Sequence, residues 1–319
     1  MKTWCTEKVD FWPYLRSDIH TSRIVFISDE DYYTEQSGFF DYLKGCLLIT
    51  QNQNRHRDFL DRGISSIYYP WVHWILHLIP LRKIGVFPEK SRTDAKIFNF
   101  LNRRWHPGRY KLIRYLMEES KDVYTQGFIT ASEFDYYKDH PEVSSDPGFN
   151  LFYQEGSVGF EKNNVEFLGT ECSVNVKNFF HIADNVPGSI CLQVETAWPE
   201  HHYQIRLTEK SMIPFITQQI PLLIGPDPGL ISLLRSQGFD VFDDVVDHSY
   251  DHKPDYGDRL LRSIDLNRDL LSGYRQIPDV SARLKKNQDF LVHEWLDSNL
   301  VDLFDAMNDF LGKEKLCLQ

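Results

Sequence analysis

From residue 189 onward the chain alternates short apolar runs with amphipathic stretches, and this alternation limits the possible folds more than any other feature. Residues 189–194 read as a strand, 208–218 as a helix, and 221–224 as a second strand. A helix over 230–237 follows, closed by Gly238, and then a short strand at Val241-Phe242. Repeated strand–helix–strand units imply a parallel sheet with right-handed crossovers. In such sheets ligands collect beyond the carboxyl ends of the strands, where helix N-termini converge.

The same pattern begins earlier. Residues 96–101 read as a strand and 102–108 as a loop, with a helix from about Pro107 whose apolar face is Leu112, Ile113, Leu116 and Met117. Residues 127–130 look like the next strand, and 132–164 are polar and Gly-containing, as expected of a long irregular insertion. A polar, Pro-containing stretch at 87–94 marks a domain join. Before it, strands over 23–28 and 46–50, with a third at 67–70, suit a small α/β domain. After 258 the chain is charged and helical, with apolar residues at helical spacing such as Leu260, Leu261 and Ile264, then Leu291, Trp295, Leu296 and Leu300. The expected organisation is an N-terminal α/β domain (1–92), a ligand-holding Rossmann-like domain (93–275) and a C-terminal helical segment (276–319) packing on both.

A chain of 319 residues with 42% hydrophobic content suits two such domains. Its formal net charge of -11 would repel phosphate backbones and anionic lipid heads except where basic residues gather. They gather at Arg55-His56-Arg57, at Arg82-Lys83, and at Arg103-Arg104 with Arg109. Five cysteines lie far apart with no Cys-x-x-Cys pair, which argues against a disulfide framework and a zinc cluster and for a reducing, cytoplasmic location. The N-terminus lacks the apolar core of a signal peptide. The longest apolar stretch, 71–81, is interrupted by His73, His77 and Pro80, so no membrane span is expected.

Helix N-termini supply unpaired N–H groups and the positive end of a dipole, so a basic side chain in the same turn makes a place for a diphosphate. Two segments fit. The loop carrying Arg103, Arg104 and Arg109 offers guanidinium forks that match phosphate oxygens, although it also reads as a solvated basic turn. In Thr208-Glu209-Lys210, Thr208 is an N-cap, Glu209 can accept from ribose hydroxyls and Lys210 can neutralise a phosphate. An ordinary capped helix with surface charges has the same pattern. Pro214 removes a hydrogen bond to the carbonyl near Lys210 and should kink that helix.

The ordered run Val194-Glu195-Thr196, Leu207-Thr208-Glu209-Lys210-Ser211, Pro214 and 220–229 resembles the donor-binding segment of α-1,3-fucosyltransferase-like enzymes, especially their small viral and bacterial relatives. Residues 233–242, 247–251 and 98–104 with Arg109 are similar to those proteins too, so the resemblance covers roughly 96–255. It implies an α/β fold of the GT-B kind, with two Rossmann-like domains facing a central cleft. The C-terminal domain would hold a GDP- or UDP-linked sugar as co-substrate, with no other cofactor, and the N-terminal domain a carbohydrate or glycoconjugate acceptor. Lys210 and Arg109 would hold the diphosphate, with Arg103 and Arg104 in the same loop. Glu209 and Thr208 would lie at the ribose side, and Glu195 at the floor of the cleft. After Glu195, residues 196–203 replace the usual polar segment of the family.

The departing nucleoside diphosphate gains negative charge as the anomeric carbon becomes cationic, so fixed positive groups stabilise the transition state more than the ground state. Arg109, Lys210 and a helix N-terminus supply them without a metal. The best-placed Asp-x-Asp, Asp29-Glu30-Asp31, falls in the acceptor domain, and Asp227 stands alone. His201-His202 would point to opposite faces of a strand with no third ligand. An inverting transfer also needs a general base. The resemblance points to a carboxylate of the N-terminal domain: Asp29, Glu30 or Asp31, Glu30 foremost, with His20 behind, though a triple acid run is also an ordinary solvated turn. Trp71, His73, Trp74 and His77 share a helical face, which reads as packing. Two other readings remain open: transfer to hydroxymethylated bases of viral DNA, and a non-catalytic nucleotide- or glycan-binding protein on the same scaffold.

Overall fold

The computed structural model describes residues 24–27, 47–51, 53–90, 96–102, 107–131, 149–150, 164–168, 170–195 and 207–317. The fold is mixed α/β and divides into two compact units. The first comprises Met1–Val86, Asn163–Val176 and Val292–Gln319, and the second Phe87–Lys162 and Lys177–Leu291. The chain thus passes between units at 86/87, 162/163, 176/177 and 291/292, where the sequence places joins only at 92/93 and 275/276. The last crossing has a packing reason. Val280 and Leu284 are buried in the core of the second unit, whereas Trp295 meets Trp71 and Trp74 of the first.

In the first unit, β1 (Ile24–Ile27), β2 (Leu47–Thr50) and β3 (Ser66–Tyr68) form a parallel sheet in chain order. Helix α1 (Gln53–Asp61) connects β2 to β3. Helix α2 (Val72–Ile84) is buried along most of its length and ends at Gly85, whose φ of 71° lets its N–H reach the carbonyls of Leu81 and Arg82. Trp71, Trp74 and Trp295 pack with ring centroids 5.2–5.4 Å apart, and the Tyr69 hydroxyl donates to the Asn299 carbonyl at 2.8 Å. A hairpin of β7 (Asn164–Phe167) and β8 (Thr170–Ser173) belongs to this unit, with β8 against α2.

The second unit is built on β4 (Phe98–Asn102), β5 (Gly127–Ala131), β6 (Phe149–Asn150), β9 (Ile190–Val194) and β10 (Ile220–Ile224). All neighbours are parallel, in the order β6-β5-β4-β9-β10. The connecting helices are α3 (Pro107–Glu119) and α4 (Lys121–Tyr124) after β4, α5 (Val174–Asn185) before β9, α6 (Glu209–Ile216) after β9, and α7 (Leu230–Ser236) after β10. Every residue of β9 and β10 is buried, as expected of strands covered on both faces. Gly188 makes the β4–β9 approach possible: a Cβ there would lie 2.7 Å from the Phe98 carbonyl carbon. Within the stretch read as irregular, Phe149–Asn150 instead adds a short parallel strand beside β5. At Val241-Phe242 the expected strand is replaced by a turn. Phe242 has φ 62°, outside the extended region, and its carbonyl accepts from Val245 and Val246 N–H at 2.8 Å each. Its side chain is nonetheless fully buried.

Helices α8 (Tyr256–Leu266), α9 (Arg268–Leu271) and α10 (Ser281–Asp289) complete this unit, adding Leu260, Ile264, Leu270, Leu271 and Leu284 to the core. Each such side chain contributes roughly 1.5–3 kcal/mol when fully buried. A π-helical turn, Phe290–Trp295, leads into α11 (Leu296–Cys317). No helix among the described residues is long and apolar enough to cross a membrane.

Candidate functional site

From β4 the chain builds the second sheet outward through β5 and β6, then returns to the other side of β4 with β9 and β10. The order therefore reverses between β4 and β9, and at such a switch point the two outgoing crossovers diverge and leave a crevice at the strand ends. The crossover from β4 leads into α3 and that from β9 into α6, which carry Arg109 and Lys210 respectively.

Arg109, in the first turn of α3, is 2% exposed. Its Nε and Nη2 donate to the Val194 carbonyl at 3.2 and 3.1 Å, so the guanidinium lies across the carboxyl end of β9. The next residue, Glu195, is fully buried. Its Oε1 accepts from the N–H groups of Thr208 (3.1 Å) and Ser211 (3.0 Å), and its Oε2 from the Thr208 hydroxyl (2.7 Å). Thr208 is the N-cap of α6 as expected, extended in backbone, with Oγ1 accepting from the Lys210 N–H at 3.2 Å. Glu195 is therefore a capping carboxylate turned into the protein: both its oxygens satisfy the start of α6.

Lys210 Nζ lies 2.7 Å from Glu209 Oε1, the two side chains being 16% and 17% exposed, and 3.5 Å from Thr208 Oγ1. The turn thus holds a cation near the surface above a buried anion. Helix α6 runs through Pro214 to Ile216. Its second unit neighbours bring Arg109, Glu195, Thr208, Glu209 and Lys210 to the carboxyl end of β9. Arg103 and Arg104, the candidate bases Asp29, Glu30 and Asp31, and His20, His201 and His202 lie outside the described residues.

Three further residues at this end of the sheet escaped the sequence reading. Asn102, the last residue of β4, is 2% exposed; its Nδ2 donates to the Phe100 carbonyl at 3.2 Å while its Oδ1 is buried with no partner among the described residues. Tyr256 opens α8, and its ring lies so close over Gly108 that a Cβ there would sit 2.4 Å from the phenol oxygen. That oxygen is also buried with no partner among the described residues. Burial pushes the phenol above the usual tyrosine range, against the pull of the Arg109 and Arg259 charges. Arg259 is 1% exposed and braces the loop after β10, with Nε on the Gly225 carbonyl at 3.3 Å, Nη1 on the Pro254 carbonyl at 2.9 Å, and further contacts to the Lys253 and Pro226 carbonyls. The only sequence signal for these three was position: Asn102 ends a strand, and Tyr256 and Arg259 open the helix after the recognised 247–251 segment.

An open depression of about 450 Å³ lies elsewhere on this unit, lined among others by Arg235, Asp243, His248 and Arg275. Arg235 there is spent on Asp243, 2.7 Å away, and Arg275 reaches the Val245 carbonyl. The strand-end arrangement is the better candidate site, because it sits at the switch point and carries buried polar atoms that have no partner among the described residues. No protein-family model, no curated protein and no solved structure matches the chain.

Proposed function

We propose that the chain is a nucleotide-sugar-dependent glycosyltransferase of GT-B-like architecture, its second unit a Rossmann-like donor domain. One observation carries the reading. Arg109 and Lys210, about a hundred residues apart, come from the two crossovers beside the switch point: Arg109 donates to the Val194 carbonyl at the end of β9, and Lys210 donates its N–H to Thr208, which in turn donates to Glu195, the next residue after Val194. A donor diphosphate would replace Glu209 as the partner of the Lys210 ammonium, and Glu209, so released, would accept from the ribose hydroxyls. The unpartnered Tyr256 phenol would donate to a phosphate oxygen beside Arg109, and Asn102 Oδ1 would accept from a ligand hydroxyl. As the glycosidic bond breaks, Lys210 and Arg109 stabilise the departing diphosphate without a metal. The acceptor would be a carbohydrate or glycoconjugate hydroxyl, deprotonated by a carboxylate of the 29–31 run in an inverting transfer, and the setting the cytoplasm.

Calorimetry with GDP and UDP tests the reading. Wild-type protein should bind at least one of them, and Lys210→Ala should weaken that binding by about tenfold or more, equivalent to about 1.4 kcal/mol, with its melting temperature unchanged. If neither nucleotide binds, the reading fails. Slow hydrolysis of the matching nucleotide sugar would then separate a transferase from a protein that only binds it.

A further inference from the structure

We propose that His73 and His77, both in the first unit, form a two-histidine chelate for a borderline divalent cation of the zinc class. Helix α2 runs unbroken from Val72 to Ile84, so residues four apart stand one above the other on one face. The two rings face each other through Nε2, 3.2 Å apart, with centroids 4.7 Å apart and planes at 89°, so they do not stack. Two imidazole nitrogens each about 2.0–2.1 Å from a tetrahedral zinc ion would be roughly 3.3–3.4 Å apart. The observed separation is therefore already that of a chelate, and a cation could enter with hardly any movement of either side chain.

The helix that presents the pair is rigidly held. His77 is 2% exposed and His73 half-buried, while Trp74, Ile75 and Leu78 on the same helix are fully buried, with Trp74 wedged between Trp71 and Trp295. A pair fixed in this way loses little side-chain entropy on binding, which favours metal over the neutral ring-to-ring hydrogen bond that could also explain the contact. Imidazole donors select zinc, copper and nickel over magnesium and calcium, whose ligands are oxygens. Water or other ligands would complete the coordination shell.

The experiment is a titration of metal-stripped full-length protein with Zn²⁺ in competition with a chromophoric chelator. It is repeated with His73→Ala, His77→Gln and, as a hard-ion control, Mg²⁺. One zinc equivalent should be bound by the wild type and weakened by about tenfold or more in both variants, with no effect of Mg²⁺. Because His77 is buried and its replacement could unfold α2, the half-buried His73 variant is decisive once its melting curve without metal matches wild type. A second readout is fluorescence: Cu²⁺ should quench the neighbouring Trp71 and Trp74 in wild type and less in His73→Ala. Wild-type zinc stoichiometry and affinity in a folded His73→Ala protein, or no zinc binding by the wild type, would overturn the proposal and leave the contact as a plain hydrogen bond.

Discussion

Two neighbouring strand-to-helix connections of the second unit solve the same problem in different ways. A helix start leaves backbone N–H groups without intrahelical partners, and where it is buried something must accept them. At the start of α6 the acceptor is Glu195, from the end of the preceding strand, assisted by the Thr208 hydroxyl; both carboxylate oxygens are used. At the start of α7 the N-cap is Gly229, with φ 97° and no side chain to offer. The acceptor comes from downstream: Asp251 Oδ2 takes the N–H groups of Ile231 (3.0 Å) and Ser232 (3.3 Å), while its Oδ1 is buried with no partner among the described residues. Arg259 then closes that loop by holding the carbonyls of Gly225 and Pro226. The first start is thus served by Glu195 and Thr208 and leaves a cation, Lys210, near the surface. The second is held by groups from further along the chain, Asp251 and Arg259. A site at the carboxyl ends of these strands belongs to the first.

The sharpest way to break this contrast is to remove each carboxylate. Glu195→Ala leaves two N–H groups and a hydroxyl orphaned in the interior, and should cost about 3 kcal/mol or more. Asp251→Ala orphans two N–H groups of a helix only seven residues long and should cost less, about 1–2 kcal/mol. Urea unfolding of both variants measures the difference, and equal losses would show that the two caps are equivalent. Thr208→Ala sits between structure and function. It removes the acceptor of the Lys210 N–H and one donor to Glu195, so a loss of about 1–2 kcal/mol is expected. Thr208→Ser should retain most of the stability if the hydroxyl, rather than the methyl, matters.

How much of this was legible beforehand differs between the same two segments. Thr208-Glu209-Lys210 announces its own cap, because an N-cap and the N–H it serves are two residues apart, and the strand before it is continuous in apolar residues. The α7 start hides its acceptor, because nothing near Gly229 in sequence tells that Asp251 returns to it. Strands buried on both faces were legible for the same local reason, whereas Phe242 was misread: a buried apolar pair has the composition of a strand even when its backbone turns to φ 62°. Order of the strands was not legible at all, since a chain that alternates strand and helix can place β9 on either side of β4. The sequence places Glu195 at the floor of the cleft but does not show that both its oxygens cap α6, because a carboxylate at a strand end looks the same in sequence whether it points outward or caps the next helix.

The smallest expected effect is the one that tests the half-satisfied cap most directly. Burial raises the Asp251 carboxyl above its ordinary value of 3.8, outweighing the opposing pull of the Ser232 and Ile231 N–H groups and of nearby His252 and His248. The folded protein therefore keeps this proton to higher pH than the unfolded chain does. Between the two values the folded state binds more protons, so the contribution of this group to stability is full below 3.8 and is lost as pH rises through the folded value. Asp251→Asn keeps an oxygen for Ile231 and Ser232 but cannot ionise, so it removes that slope. Unfolding free energies from urea titrations between pH 4 and 7 should rise for the variant relative to wild type by less than about 1 kcal/mol, the gain appearing only toward the upper end. Curves that run parallel across the whole range would mean that Oδ1 is solvated after all, and that the two helix starts are equally well satisfied.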